Sequence, residues 1–135
     1  MKRFVQVGLV LLMVAVVITG CNQRDAAGTI EAYLRAKVEK SDRDKMVSLS
    51  CAAWEAQAIA ESSSFASIDA EIEDMKCEES GADGDYRVVA CEGKIMATYG
   101  VGDTRELDLG GPYRTIEEDG EWKMCGEVGA EEADD

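Results

Sequence analysis

The sequence predicts an α+β domain in which N-terminal helices pack on a four-stranded antiparallel sheet. Three observations predict it. Apolar residues recur with the helical period between Thr29 and Glu61. From Ile68 onward they alternate, as they do in half-buried strands. The strand segments are separated by short Gly- and Asp-containing turns, which suit hairpins and leave no room for crossover helices.

Ahead of that domain, residues 1–20 read as an export signal. Lys2 and Arg3 precede twelve nearly unbroken apolar residues, Val7 to Ile18. Crossing a bilayer takes about 20 apolar residues, so this run has the length of a secretory h-region instead. It ends in Ile18-Thr19-Gly20-Cys21, which resembles a bacterial lipobox. An aliphatic residue and two small ones precede the cysteine that takes a diacylglycerol, with palmitate the expected acyl group, and becomes the new N-terminus. Ile18 and Thr19 depart from the commonest form of that motif. Two acyl chains hold a protein on a bilayer where one does so only marginally. Cys21 is therefore the expected lipid attachment site, and the cell membrane, on its extracytoplasmic face, the expected location. Residues 21–28 read as a tether.

In the single domain expected over residues 29–128, Ile30, Tyr33, Leu34, Lys37 and Val38 form one helical stripe, with Thr29 as N-cap. Ser41-Asp42-Arg43-Asp44 reads as a capping box with Ser41 as cap. Met46, Leu49 and Ala53 give that second helix its buried side. The alanine-rich stretch Ala52 to Glu61 continues as helix, and Ser62-Ser63-Ser64 ends it.

The first strand carries Ile68, Ala70 and Ile72, and a turn is expected over Glu78 to Asp85. The second strand runs from Tyr86 to Tyr99, and Gly100 to Asp103 turns the chain again. Thr104 to Leu109 and Tyr113 to Glu117 form a third strand broken by Gly110-Gly111-Pro112. Proline gives no ladder hydrogen bond, so a bulge or an edge is expected there. Asp119-Gly120 signals a tight hairpin into the last strand, Glu121 to Val128. Residues 129–135 form an acidic tail, expected to be disordered.

Charge and composition bound the chemistry. The 135 residues hold 28 acidic and 14 basic side chains, a net charge of -14, and no histidine. Without histidine there is no His general base, no Ser-His or Cys-His nucleophile system and no His-ligated metal. Such acidity argues against nucleic-acid partners, which need clustered cations. Loss of residues 1–20 removes two basic residues and no acidic one, so the mature side-chain charge is -16.

Cys51, Cys77, Cys91 and Cys125 remain besides Cys21, at separations of 26, 14 and 34 positions. Zinc ligands usually come in C-x2-4-C pairs, so two disulfides formed in an oxidising compartment fit better. Cys77 and Cys91 lie symmetrically about Gly84 on adjacent strands. Facing each other requires an odd-length loop or a bulge there. That pairing leaves Cys51 with Cys125, and the other two connectivities stay open. No metal site and no cofactor is expected. Asp83-Gly84-Asp85 with Glu78 and Glu79 does not match a calcium loop. The pairs Glu71/Glu73, Glu78/Glu79, Asp83/Asp85 and Glu117/Glu118 fall on turns and solvent faces, without the desolvation that a catalytic carboxylic acid needs. Gly100-Val101-Gly102 lacks the Lys-Ser/Thr of a phosphate loop.

The opening helix Thr29-Ile30-Glu31-Ala32-Tyr33-Leu34-Arg35-Ala36, the segment Asp44-Lys45-Met46-Val47-Ser48-Leu49 and the ending Asp119-Gly120-Glu121-Trp122-Lys123-Met124 resemble small bacterial lipoproteins of the cystatin-like, nuclear-transport-factor-2-like superfamily. The resemblance covers about residues 28–126. It implies a curved four-stranded sheet around the helices with a conical pocket, into which Trp54, Trp122, Tyr33, Tyr86, Tyr99 and Tyr113 are candidates to project. Superfamily members include small-molecule binders, interaction modules and a few isomerases and hydrolases. The isomerases use an aspartate base with a tyrosine donor, a pair that maps onto no position here, so no catalytic residue is carried over. The expected function is that of a non-enzymatic, membrane-anchored binding or accessory module of the cell envelope. Its partner would be an envelope protein or a small apolar ligand. The alternative is a small-molecule enzyme, isomerase- or hydrolase-like, using a buried carboxylate in the cone.

Overall fold

The computed structural model describes residues 24–129. Cys21, residues 1–20 and the acidic tail beyond Gly129 lie outside them. Helix α1 spans Ala26–Arg35 and is capped by Asp25, whose carboxylate accepts the Gly28 N–H. The helix thus starts four residues earlier than the sequence predicts, with its cap at Asp25 instead of Thr29, inside the expected tether. Thr29 is not its cap. One turn into the helix, Thr29 is buried and its hydroxyl donates to the Trp122 carbonyl at 3.1 Å. Ala26, Thr29, Ile30, Tyr33 and Leu34 make the buried stripe.

A π-helical turn, Ala36–Lys40, follows, ending in Ser41 with a left-handed φ of 48°. Ser41 terminates this element, and it is Asp42 that caps the next by accepting the Lys45 N–H. Helix α2 (Arg43–Ser48) buries Met46, with Leu49 just past its end. A 3-10 turn, Ala52–Trp54, leads into α3 (Glu55–Glu61). Ala53 is exposed; Ala58 is the alanine that packs inward.

Five strands form one antiparallel sheet: β1 (Asp69–Asp83), β2 (Tyr86–Tyr99), β3 (Asp103–Asp108), β4 (Tyr113–Glu118) and β5 (Glu121–Glu127). The architecture is α+β. The sheet has five strands rather than four because Gly110-Gly111-Pro112 divides the expected third one. Both pieces pair with the same side of β2, Lys94 with Asp108 and Val89 with Tyr113. Five positions separate the pairs on each strand, so the break leaves the ladder without adding a residue. It is not a bulge. Gly110 and Gly111, with φ of 82° and 87°, and a cis Gly111–Pro112 peptide carry the chain off the sheet and back.

Register shifts lie instead in β1, between Glu73 and Lys76 and between Glu79 and Gly81, and in the β4–β5 pairing between Tyr113 and Thr115. The expected turn over Glu78 to Asp85 shrinks to Gly84-Asp85. Gly84, at φ 61°, takes the first central position that two-residue loops reserve for glycine. The Asp119-Gly120 turn has both φ values positive, as a type I′ hairpin requires.

One sheet face carries Ala70, Ile72, Val89, Ile95, Ala97, Tyr113 and Met124 against the helices. Ile30, Leu34, Met46 and Val89 are at most 2% exposed, each contributing about 1.5–3 kcal/mol of hydrophobic transfer energy. The opposite sheet face, with Glu92, Lys94 and Glu106, meets solvent. The outer edge of β5 is covered in part: Ser50 bridges Met124 in parallel, through Cys51 N–H to Met124 O and Met124 N–H to Leu49 O.

Candidate functional site

The polar centre of the molecule is assembled from α1, α3 and the 3-10 turn. Cys51 is bonded to Cys125 of β5, so the turn that follows it is held over that strand. Trp54 consequently lies above Gly126, where a Cβ would come within 3.5 Å of the indole. From there the indole N–H donates to the Tyr33 hydroxyl at 3.2 Å. The hydroxyl in turn donates to Glu61 Oε2 at 2.9 Å. Lys37 Nζ stands 3.5 Å from the same oxygen. The lysine assigned to the apolar stripe by its spacing therefore turns its ammonium toward the last residue of α3.

Tyr113, on β4, donates its hydroxyl to the Leu109 carbonyl beside the glycine break. Burial raises the Tyr33 pKa above the ordinary phenol range, and the Glu61 charge raises it further. Burial does the same to Tyr113, with the Glu127 and Glu61 carboxylates adding to it. Both carboxylates therefore act on both phenols. The phenols remain protonated and can donate hydrogen bonds but not act as bases. Tyr33 is 1% and Tyr113 2% exposed, so the relay is a packed joint between helices and sheet rather than an open reaction surface.

Open depressions lie elsewhere. One, of about 320 Å³, is lined by Arg24, Thr29, Lys45, Ser48, Trp122 and Lys123, among others, at the start of α1. Another, of about 750 Å³, reaches from Glu39 and Lys40 across the Asp69–Glu73 end of β1 to Met96 and Thr98 of β2 and Thr104 of β3, with Ile68 in its wall. Among the described residues no group of three or more Cys, Asp or Glu is arranged to hold a metal ion. Nor is any described helix long and apolar enough to cross a membrane.

The structure joins Cys77 to Cys91 and Cys51 to Cys125. The first bond depends on a bulge. Asp83 faces Tyr86, and in that register Cys77 would face Glu92; the shift between Glu79 and Gly81 moves it opposite Cys91. The carboxylate pairs singled out by the sequence are exposed, apart from the half-buried Glu118, which accepts the Ala52 N–H. Of the six aromatic candidates, Tyr33 and Trp54 are brought together, with Tyr113 coupled to the same carboxylates. Tyr86 and Tyr99 instead lie beneath Arg114 and Arg105, and Trp122 lines the depression at the other end of α1. Glu61, Glu127 and Gly126 escaped the sequence reading because none belongs to a motif. A glutamate ending an alanine-rich helix carried the only available signal. Comparison of the chain with protein-family models, with curated proteins and with solved structures finds no match.

Proposed function

We propose that this chain is a lipoprotein anchored through Cys21 on the extracytoplasmic face of the cell membrane, where it serves as a non-enzymatic binding or accessory module of the envelope. The observation that carries the reading is the use of the cysteines. All four described cysteines are in disulfides, which call for an oxidising compartment, and the fifth stands in the lipobox-like Ile18-Thr19-Gly20-Cys21. An envelope protein is the favoured partner, because the interior around Tyr33 and Tyr113 is packed and small-molecule entry would require it to open. The cystatin-like cone belongs to the same proposal. In its support, the β1 bulge at Asp74, the facing Gly93 and the Gly110-Pro112 break lie in one row across the strands, and bulges and glycines are the devices that bend sheets.

The enzymatic alternative draws on one observation, a carboxylate 2.9 Å from a tyrosine hydroxyl. With Tyr33 fixed as a donor to Glu61 and Lys37 beside the same oxygen, that carboxylate is already engaged within the protein.

The anchor is tested by expressing the wild-type chain and Cys21→Ser in a bacterial host with and without globomycin. The mature wild type is expected to carry a diacylglyceryl mass increment, and globomycin should cause the precursor to accumulate. Wild-type protein cleaved normally under globomycin, with no lipid mass, refutes the anchor.

A further inference from the structure

Besides the anchor, the surface beside it carries a charge pattern of its own. Seven of the basic side chains lie within ion-pair distance of a carboxylate: Arg35, Lys37, Lys76, Lys94, Arg105, Arg114 and Lys123. Arg24, Lys40, Arg43, Lys45 and Arg87 form no such pair among the described residues, and of these Arg24 and Lys45 together line the 320 Å³ depression at the start of α1. Lys123, in its wall, is held by Glu121 at 3.0 Å and by the Ser48 carbonyl at 2.7 Å. Of the acids near these cations, Asp25 caps Gly28 and Asp42 caps Lys45, Asp44 adjoins Lys45 in sequence without an ion pair to it, and Glu121 stands in the wall of the depression. In a strongly acidic domain, two cations without an ion-pair partner among the described residues thus share one concavity, whose one carboxylate, Glu121, is engaged by Lys123.

On the anchored reading, Cys21 stands three positions before Arg24. Three extended residues reach no more than about 11 Å, comparable with the distance over which charges act at physiological salt. This depression is therefore the part of the domain that the anchor holds against the lipid surface. We infer that the Arg24–Lys45 depression is a docking site for the phosphate of an anionic phospholipid headgroup in the membrane that carries the anchor. The inference rests on the lipoprotein reading and adds to it an orientation. The lipid retains the protein, and the two cations turn this face toward the headgroups while the acidic remainder is repelled.

The test uses the lipidated mature protein, its diacylglyceryl group verified by mass. It is reconstituted on vesicles of phosphatidylcholine alone or of phosphatidylcholine and phosphatidylglycerol in equal parts. In a Trp54→Phe background, Trp122 in the depression becomes the sole tryptophan. Its emission should be quenched by brominated lipid on the mixed vesicles and much less on phosphatidylcholine. High salt should remove the difference. Arg24→Gln with Lys45→Gln should lower the ratio of docked to undocked protein by about 25-fold, roughly fivefold per cation. As a measurement independent of Trp54→Phe, hydrogen exchange over residues 43–49 of the two-tryptophan protein should slow on the mixed vesicles only. Equal quenching on both vesicle types, or a phosphatidylglycerol effect that survives the double substitution, overturns the docking site and leaves the anchor standing. A mature protein without lipid mass overturns both.

Discussion

Gly93→Ala should be among the most damaging single-methyl additions to this protein. Gly93 lies in β2 with φ 128°, opposite the bulge in β1. A Cβ there would sit 2.8 Å from the Glu73 carbonyl oxygen, 3.0 Å from the Asp74 carbonyl oxygen and 3.0 Å from Met75 Cα. All three are backbone atoms, so relief requires moving β1 rather than turning a side chain. Alanine at such a φ costs about 1–3 kcal/mol before any clash. Displacing the bulge places the total near 3 kcal/mol, or roughly 10–15 °C in Tm for a domain of this size. Gly81→Ala is the control, because its Cβ would meet nothing within 4 Å and its φ is not positive. It should be neutral or stabilising by about 0.5 kcal/mol. Urea and thermal unfolding, monitored by circular dichroism with disulfides intact, give both numbers. If Gly93→Ala unfolds within about 1 kcal/mol of Gly81→Ala, the close strand approach described here does not exist.

Three further outcomes follow from the same geometry. Asp25→Ala should cost about 1 kcal/mol as a lost N-cap, and Thr29→Val about 1–2 kcal/mol by leaving the Trp122 carbonyl unpaired; equilibrium unfolding separates a capping from a buried role for Thr29. Removing Cys51–Cys125, whose residues are 74 positions apart, should destabilise more than removing Cys77–Cys91, at 14. The chain-entropy relation gives about 4 against 3 kcal/mol, to be read from double Cys→Ala variants. Because burial raises the pKa of Tyr33 and Tyr113 in the folded state, their contribution is intact below the unfolded phenol pKa of about 10 and declines as pH rises above it. Unfolding free energy should fall with pH in the alkaline range, less steeply in Tyr33→Phe; equal slopes would count against buried phenols.

Periodicity located the helices and the long central strand, since both express one local rule repeated over many residues. The observed cap differs from the expected one by four positions in α1 and by one in α2, because Asp25, Thr29, Ser41 and Asp42 are all competent caps. Tertiary demand for a buried hydroxyl at Thr29 and a left-handed residue at Ser41 decided among them. The polar joint was illegible for a different reason. Tyr33, Trp54, Glu61 and Gly126 are far apart in sequence and follow no shared period. The Cys51–Cys125 bond and the Ser50–Met124 bridge, with the Ala52 N–H bond to Glu118, bring the turn carrying Trp54 onto β5.

The two disulfides sit where the hydrophobic pattern specifies the chain least. Alternation fixes which face of a strand is buried, yet β1 beyond Cys77 is exposed at every position and offers no apolar preference to set its register. With a two-residue turn, the plain ladder would place Cys77 against Glu92, and only the bulge between Glu79 and Gly81 lets the sulfurs meet. The bond therefore selects one register from several of similar burial. Cys51 does the same for a segment between two short helices that contributes a single β-bridge to the sheet. In a small acidic domain these covalent links supply long-range specificity that its modest core does not. Reduction should accordingly loosen the β1–β2 hairpin beyond Cys77 and the Leu49–Trp54 segment before it loosens the Ile30–Leu34 stripe. Residue-resolved hydrogen exchange of reduced and oxidised protein reads that order, and uniform loss of protection would contradict it.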